Sequence, residues 1–166
     1  GCEDVMIEFG LYIIKDDFFK KYNDKYLKGN KKENRPHYCC FKDPYNDELF
    51  WVIPLSHQVN KYKKLMQQAQ NKNQRCDKIH ILKMAGGESV FLIQDMFPIT
   101  DKYIEREYTL NSIPFVIKNP YDIAELTKKS KRILRLIYRN VKYMPTQANV
   151  LKIKEELLKE QPQNVY

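Results

Sequence analysis

The sequence predicts an α+β fold, a curved, barrel-like antiparallel sheet with helices packed against it. Short apolar runs of strand length fill the first hundred residues, turn signals join them in pairs, and the last third carries helical periodicity. Strands first, helices interleaved and helices last is an α+β order, not that of a doubly wound parallel sheet. A chain of 166 residues suits one domain spanning 1–166 and can bury a core without staples.

The elements follow in order. Residues 1–8 read as a flexible leader, and Phe9–Ile14 is a short apolar run that suits a buried strand. Asp16 or Asp17 caps a helix over residues 17–27, with Phe18, Phe19, Tyr22 and Tyr26 near helical spacing. The polar, basic stretch Lys28–Arg35 is a loop. His37–Phe41 and Glu48–Leu55 are apolar strands joined by a turn over Asp43–Asp47. Gln58–Asn73 is a polar helix with a thin apolar stripe. Lys78–Met84 and Ser89–Gln94 flank the hairpin signal Ala85-Gly86-Gly87-Glu88, and Met96–Thr100 extends the second strand. Residues 101–117 are ambiguous, with the Tyr103–Tyr108 segment open to helix or strand. Asn119 caps and Pro120 starts a helix running to Asn140, with Ile123, Leu126, Ser130, Ile133, Leu134, Ile137 and Val141 facing inward. Pro145 and Thr146 open a last helix through Lys159, with Val150, Ile153, Leu157 and Leu158 inward.

Composition narrows the function. Basic residues number 29 against 21 acidic, a formal net charge of +8, which favours a polyanionic partner. The 12 Tyr and 8 Phe can stack on bases, although most of them serve the core. Cys2, Cys39, Cys40 and Cys76 show neither a C-x-x-C nor a Cys/His ligand spacing, so they read as free thiols and no metal site is expected. No apolar run approaches the roughly 18 residues of a membrane span.

Three constellations carry chemistry. Ser56 and His57 follow an apolar strand where a helix begins. Ser56 suits an N-cap there, and His57 is a candidate acid or base. Arg35 precedes a strand, and its guanidinium can grip a phosphate in two-pronged fashion. The basic runs Lys28/Lys31/Lys32/Arg35, Lys61/Lys63/Lys64 and Lys128–Lys142 point to nucleic acid. The last holds seven basic residues and no acidic one, with Lys128, Lys131, Arg132, Arg135, Arg139 and Lys142 on one broad helical face. Gln94-Asp95 ends a strand and could meet a base edge or a backbone amide.

Arg35-Pro36-His37-Tyr38, Trp51-Val52-Ile53-Pro54-Leu55-Ser56, Lys61-Tyr62-Lys63-Lys64 and the stretch Ser89–Ile99 resemble, in order and spacing, the endoribonuclease toxins of type III toxin–antitoxin systems. This is the ToxN/AbiQ superfamily, and the match is nearest its CptN branch. The resemblance spans residues 9–160. It implies a compact, strongly bent antiparallel sheet like that of the MazF/Kid toxins, and a cytoplasmic bacterial ribonuclease needing no metal or cofactor. Such a toxin cuts mRNA and its own repetitive antitoxin transcript. Its partner is antitoxin RNA, whose pseudoknot units inhibit it within a closed RNA–protein assembly. Catalytic residues carried over are Arg35 and Ser56, with Lys61 for the family's lysine and His57 where a second Ser or Thr is usual. The expected reaction is 2′-OH attack on the adjacent phosphorus, leaving 2′,3′-cyclic phosphate and 5′-OH ends. Antitoxin RNA would lie on Lys28, Lys31, Lys32, Lys63, Lys64, Gln94 and the basic helix. The rival expectation is a non-catalytic RNA-binding module.

Overall fold

The computed structural model describes residues 6–84 and 86–161. The strands are β1 (Leu11–Ile14), β2 (His37–Lys42), β3 (Phe50–Ser56), β4 (His80–Met84), β5 (Gly87–Phe91), β6 (Phe97–Ile99), β7 (Ile104–Glu107), β8 (Thr109–Leu110) and β9 (Ile113–Pro114). The α-helices are α1 (Asp16–Lys21), α2 (Val59–Asn71), α3 (Pro120–Tyr138) and α4 (Val150–Lys159). The fold is α+β, as expected. One antiparallel sheet runs β4-β5-β3-β2-β1-β7, with β6 also on β3, while β8 and β9 pair as a separate small hairpin. The path has two ends, so the strand pairing among the described residues does not close into a barrel.

Pro54 sets the shape of this sheet. β3 pairs with β2 along its length, from Phe50↔Lys42 to Pro54↔His37. Its other edge is shared: Phe50–Val52 pair with β6, then Leu55 and Ser56 pair with β5. The Leu55 N–H points to β2, where it donates to the Pro36 carbonyl at 3.1 Å. The neighbouring Pro54 therefore directs its donor-less nitrogen to the opposite edge, at the gap between β6 and β5. A proline is tolerated in this central strand because no ladder bond is asked of it there. A second irregularity lies in β2, where the register shifts between Cys39 and Phe41 and leaves Cys40 as the extra residue of a bulge. Cys39 and Cys40 are buried free thiols, and burial pushes the Cys40 thiol up to about 12.

The main core gathers Trp51, Tyr38, Phe18, Phe91 and Phe97, all fully buried, under α3 and α4. A smaller cluster of Tyr62, Ile79, Val90 and Leu92 lies under α2. α3 forms as predicted. The Asn119 side chain accepts from the Tyr121 and Asp122 amides, Pro120 leads the first turn, and Leu126, Ser130, Ile133, Leu134 and Ile137 are buried. Val141 lies beyond the helix end and is exposed.

Several expectations are corrected. Met6 is buried in the main core and the Ile7 amide donates to the Tyr12 hydroxyl at 2.7 Å, although the Ile7 and Glu8 side chains are exposed. The rest of the expected leader, residues 1–5 with Cys2, lies outside the described residues, as does Ala85 of the β4–β5 turn. α1 stops at Lys21 instead of residue 27. Asp24 folds back to accept from the Tyr26 amide and also takes the Asn149 amide, each at 2.9 Å, which breaks the helix. Neither Asp16 nor Asp17 caps α1; both lie in its first turn, where acidic residues suit the helix dipole. α4 opens at Val150, four residues later than Thr146, with the Asn149 side chain accepting from the Lys152 amide. Leu158, expected inward, is half-buried. Met96–Thr100 does not extend β5: a 3-10 turn over Ile93–Asp95 intervenes, and β6 crosses to β3. The ambiguous 101–117 region is mostly extended.

Candidate functional site

The end of β3 organises the site. Ser56 stands opposite Val90, so it faces the α2 side of the sheet, and the next residue, His57, turns to the other side. Ser56 is buried, and its hydroxyl oxygen accepts the Gln58 amide at 3.1 Å, which leaves the hydroxyl proton available to a ligand. Continuing the β2–β3 register back from His37↔Pro54 brings Arg35 opposite Ser56.

Arg35 is held from three directions. Its Nε donates to the Gly29 carbonyl at 2.7 Å and its Nη1 to the Leu55 carbonyl at 2.5 Å. Its own carbonyl accepts from Nδ1–H of His37 at 3.0 Å. His37 is fully buried between Phe19 and Phe97, and burial, with the nearby Arg35 charge, pushes its imidazole down to about 3, so it is a neutral prop. The guanidinium is largely buried, while Nη2 makes no hydrogen bond among the described residues.

The loop before Arg35 is strained. Lys31, Lys32 and Glu33 take φ of 48°, 54° and 61°, three consecutive left-handed residues without a glycine. Each such residue costs about 1 kcal/mol or more. Buried Asn30 holds the loop, donating to the Ile14 carbonyl at 2.6 Å and to Asp16 at 2.8 Å, and Glu33 accepts from the Asp16 amide. The turn leaves Lys31 and Lys32 exposed and directs Arg35 inward.

Two residues outside the predicted catalytic and RNA-binding set complete the cluster. Asp95, at the end of the 3-10 turn, is buried, and the only hydrogen bond to its carboxylate among the described residues is a long one from Gln94 Nε2, at 3.4 Å. Burial pushes its carboxyl up, against the pull of Lys28, Gln94, Arg35 and Lys61. Tyr62 of α2 is buried within the field of both Asp95 and Arg35, and burial raises its phenol. Lys61 is exposed on the first turn of α2, its ammonium 5.2 Å from the Tyr62 ring. Lys28, Arg35 and Lys61 lie within the electrostatic field of Asp95, Tyr62 within that of Asp95 and Arg35, and Ser56 stands at the same end of the β2–β3 ladder as Arg35; this grouping is the candidate cleft, and its cations outnumber its carboxylate. The sequence signal for Asp95 was an acid ending an apolar run in a basic chain. Tyr62 gave no signal beyond its place in the stripe of α2.

His57 is exposed. It lines a small hollow of about 50 Å³ with Arg35, Asn34, Ser89 and Tyr108, on the far side of the β3 end from Ser56. The remaining predicted contacts divide by pairing. Lys64, Lys128, Lys131, Arg135, Arg139 and Lys142 are exposed, whereas Lys63 pairs with Glu88 at 2.8 Å. The third basic run is not wholly unpaired: Arg132 is half-buried and bridged to Asp77 at 2.9 Å, an acid distant in sequence. Lys129 is turned inward, donating to the Ile79 carbonyl and to Nδ1 of His80, whose other nitrogen faces Asp122 at 3.3 Å. Among the described residues no three His, Cys, Asp or Glu side chains gather as metal ligands would. No described helix is long and apolar enough to cross a membrane.

No protein-family model matches the chain, and no curated protein sequence does. The structure is similar to that of AbiQ, a lactococcal anti-phage endoribonuclease belonging to the type-III toxin–antitoxin system. The TM-score is 0.65, with 92% of this chain and 98% of that chain covered at 13% sequence identity. At that identity the likeness shows the fold, an α+β arrangement of a mostly antiparallel sheet with flanking helices.

Proposed function

We propose that the protein is an endoribonuclease toxin of the type III toxin–antitoxin class. One observation carries the reading. On a fold shared with AbiQ over nearly the whole chain, a buried arginine and a buried serine stand at the same end of the β2–β3 ladder, with Lys28 and Lys61 in the field of the same buried Asp95. A protein that only bound RNA would place its cations outward, as α3 does. Burying an arginine beside a serine is justified where a phosphate must be held out of bulk water.

RNA is cut by attack of the ribose 2′-OH on the adjacent phosphorus, giving 2′,3′-cyclic phosphate and 5′-OH ends without a metal. Arg35 and Lys61 offset the charge of the phosphorane, and Ser56 donates its hydroxyl proton to the phosphate or orients the 2′-OH. Asp95 keeps the cations of the cleft from repelling one another. His57 is the acid–base candidate, reaching the scissile bond over the rim of the β3 end, a contribution of about 10²–10⁴ in rate if it transfers a proton. The exposed stripe of α3 and the Lys31–Lys32 loop bind antitoxin RNA, whose pseudoknot units close into an assembly with the toxin and silence it. Cellular mRNA is the substrate.

The test is cleavage of a mixed-sequence RNA in EDTA by protein freed of bound RNA, with analysis of the product ends. Cyclic phosphate ends, lost in Ser56→Ala, support the reading. Tight, salt-sensitive binding without cleavage replaces it with the RNA-binding module.

A further inference from the structure

A second cavity, of about 360 Å³, lies one step along α2 from the cleft. Leu65 and Ala69 of α2 form one wall, Met144 of the α3–α4 connection lies across it, and Gln74, Lys78 and Gln94 supply the polar lining. Two continuities join it to the cleft. Lys61, Leu65 and Ala69 are spaced four residues apart, so they form one row on α2 that starts in the cleft and ends in the cavity. Gln94 lines the cavity and its neighbour Asp95 lies in the cleft.

The cavity is fixed in shape at its junction with the cleft. The Gln94 amide donates to the Lys78 carbonyl at 2.8 Å, and the Gln94 carbonyl accepts from the Tyr143 hydroxyl at 2.7 Å. The Tyr143 amide in turn donates to Gln147 at 2.9 Å, which braces the connection that carries Met144. Among the described residues no Asp or Glu lines the space, while Lys78 and Arg75 do. Leu65 is 44% exposed, so its apolar side chain is accessible from the cavity. Apolar walls, amide side chains offering both donor and acceptor, and flanking cations suit a nucleobase with its phosphate.

We propose that this cavity receives one nucleobase of the RNA strand, next to the phosphate gripped at Arg35, and sets the preferred base at that position of the cut site. The inference rests on the endoribonuclease reading. The base lies between Leu65 and Met144, and the Gln94 amide reads its edge. The carbonyl end of that amide has no partner among the described residues.

The experiment is cleavage of a randomised single-stranded RNA pool by the full chain, by Leu65→Ala and by Gln94→Ala, with sequencing of the cut ends. The wild type is expected to prefer one base strongly at a position beside the cut. Gln94→Ala should reduce that preference by about tenfold, the loss of one edge contact, with the other positions unchanged. Leu65→Ala should weaken the preference at that same position, because one wall against which the base lies is removed, with the other positions unchanged. Leu65 is partly exposed, so this variant keeps the fold, and simple destabilisation would not alter a single position of the profile. An unchanged profile in both variants, with cleavage intact, overturns the inference and leaves the nuclease reading standing. A wild-type protein that cuts no RNA overturns both.

Discussion

Glu160 and Asp95 are both largely buried carboxylates beside cations and phenols, and the fold treats them in opposite ways. Glu160, at the end of α4, accepts from the Tyr22 hydroxyl at 2.6 Å, from the Tyr103 hydroxyl at 2.7 Å and from the Lys21 ammonium, with Lys102 at 3.7 Å. These donors outweigh burial and hold its carboxyl down to about 2. Among the described residues the Asp95 carboxylate has one long hydrogen bond and no ion pair, and burial pushes it up. The first site ties α4 to α1 and to the turn before β7. The second keeps charges close together without letting them neutralise one another in direct contact. Polar side chains with every partner supplied mark architecture; polar side chains left wanting mark a place prepared for something else.

That contrast can be broken in four places. The largest effect falls on the cleft. Arg35→Ala should slow RNA cleavage by at least about 10²-fold, as loss of a charge-stabilising donor does. Arg35→Lys should recover little of it, because a lysine cannot serve the Gly29 and Leu55 carbonyls and a phosphate together. Single-turnover rates of the two variants decide this, and a fully active Arg35→Lys would remove the geometric role of the guanidinium.

The next effect is on stability. Glu160→Gln should cost about 2 kcal/mol in urea unfolding with an unchanged slope, since it weakens charge-assisted hydrogen bonds that join three elements. The wild type should show the same linkage with pH. A carboxyl whose folded value lies below its ordinary 4.5 stabilises fully above that pH, and its contribution is lost as pH falls toward 2. Glu160→Gln should flatten the stability profile in that window.

Asp95→Asn should behave otherwise, leaving stability unchanged or raising it by up to about 1 kcal/mol, because it removes a charge that burial disfavours. Cleavage should fall all the same. If it unfolds as readily as Glu160→Gln, the two carboxylates are alike and the distinction fails.

The smallest effect separates free from paired cations on α3. Lys131→Ala should flatten the dependence of log RNA affinity on log salt by about one, the loss of one phosphate contact. Arg132→Gln should change it less, because Asp77 already holds that guanidinium.

Local signals were legible in the sequence. Asn119-Pro120 and the stripe from Leu126 to Ile137 define α3 without tertiary help, and the β2–β3 and β4–β5 hairpins follow from their turn residues. The end of α1 was not legible, because Asp24 acts through Asn149, more than a hundred residues away. Nor was β6, whose three residues become a strand only because β3 leaves half an edge open. The same reason explains the site. Arg35 and Ser56 carry their own local signals, a residue before Pro36 and a residue after an apolar strand. Asp95 and Tyr62 become site residues only when the 3-10 turn and α2 are folded against the end of β3.

The divided edge of β3 has a dynamic consequence. Between Val52 and Leu55 that edge carries a single backbone bond, from the Leu92 amide to the Pro54 carbonyl, and beyond it lie β5, β4 and α2 over their own small apolar cluster. These elements form a natural unit for opening below the free energy of global unfolding. Amides of α2 and of the β4–β5 ladder should then exchange with solvent deuterium together, and sooner than those of the β2–β3 ladder. Each opening would carry Lys61 and Tyr62 away from Arg35 while the main core stays folded, so the cleft can be dismantled and rebuilt without unfolding the protein.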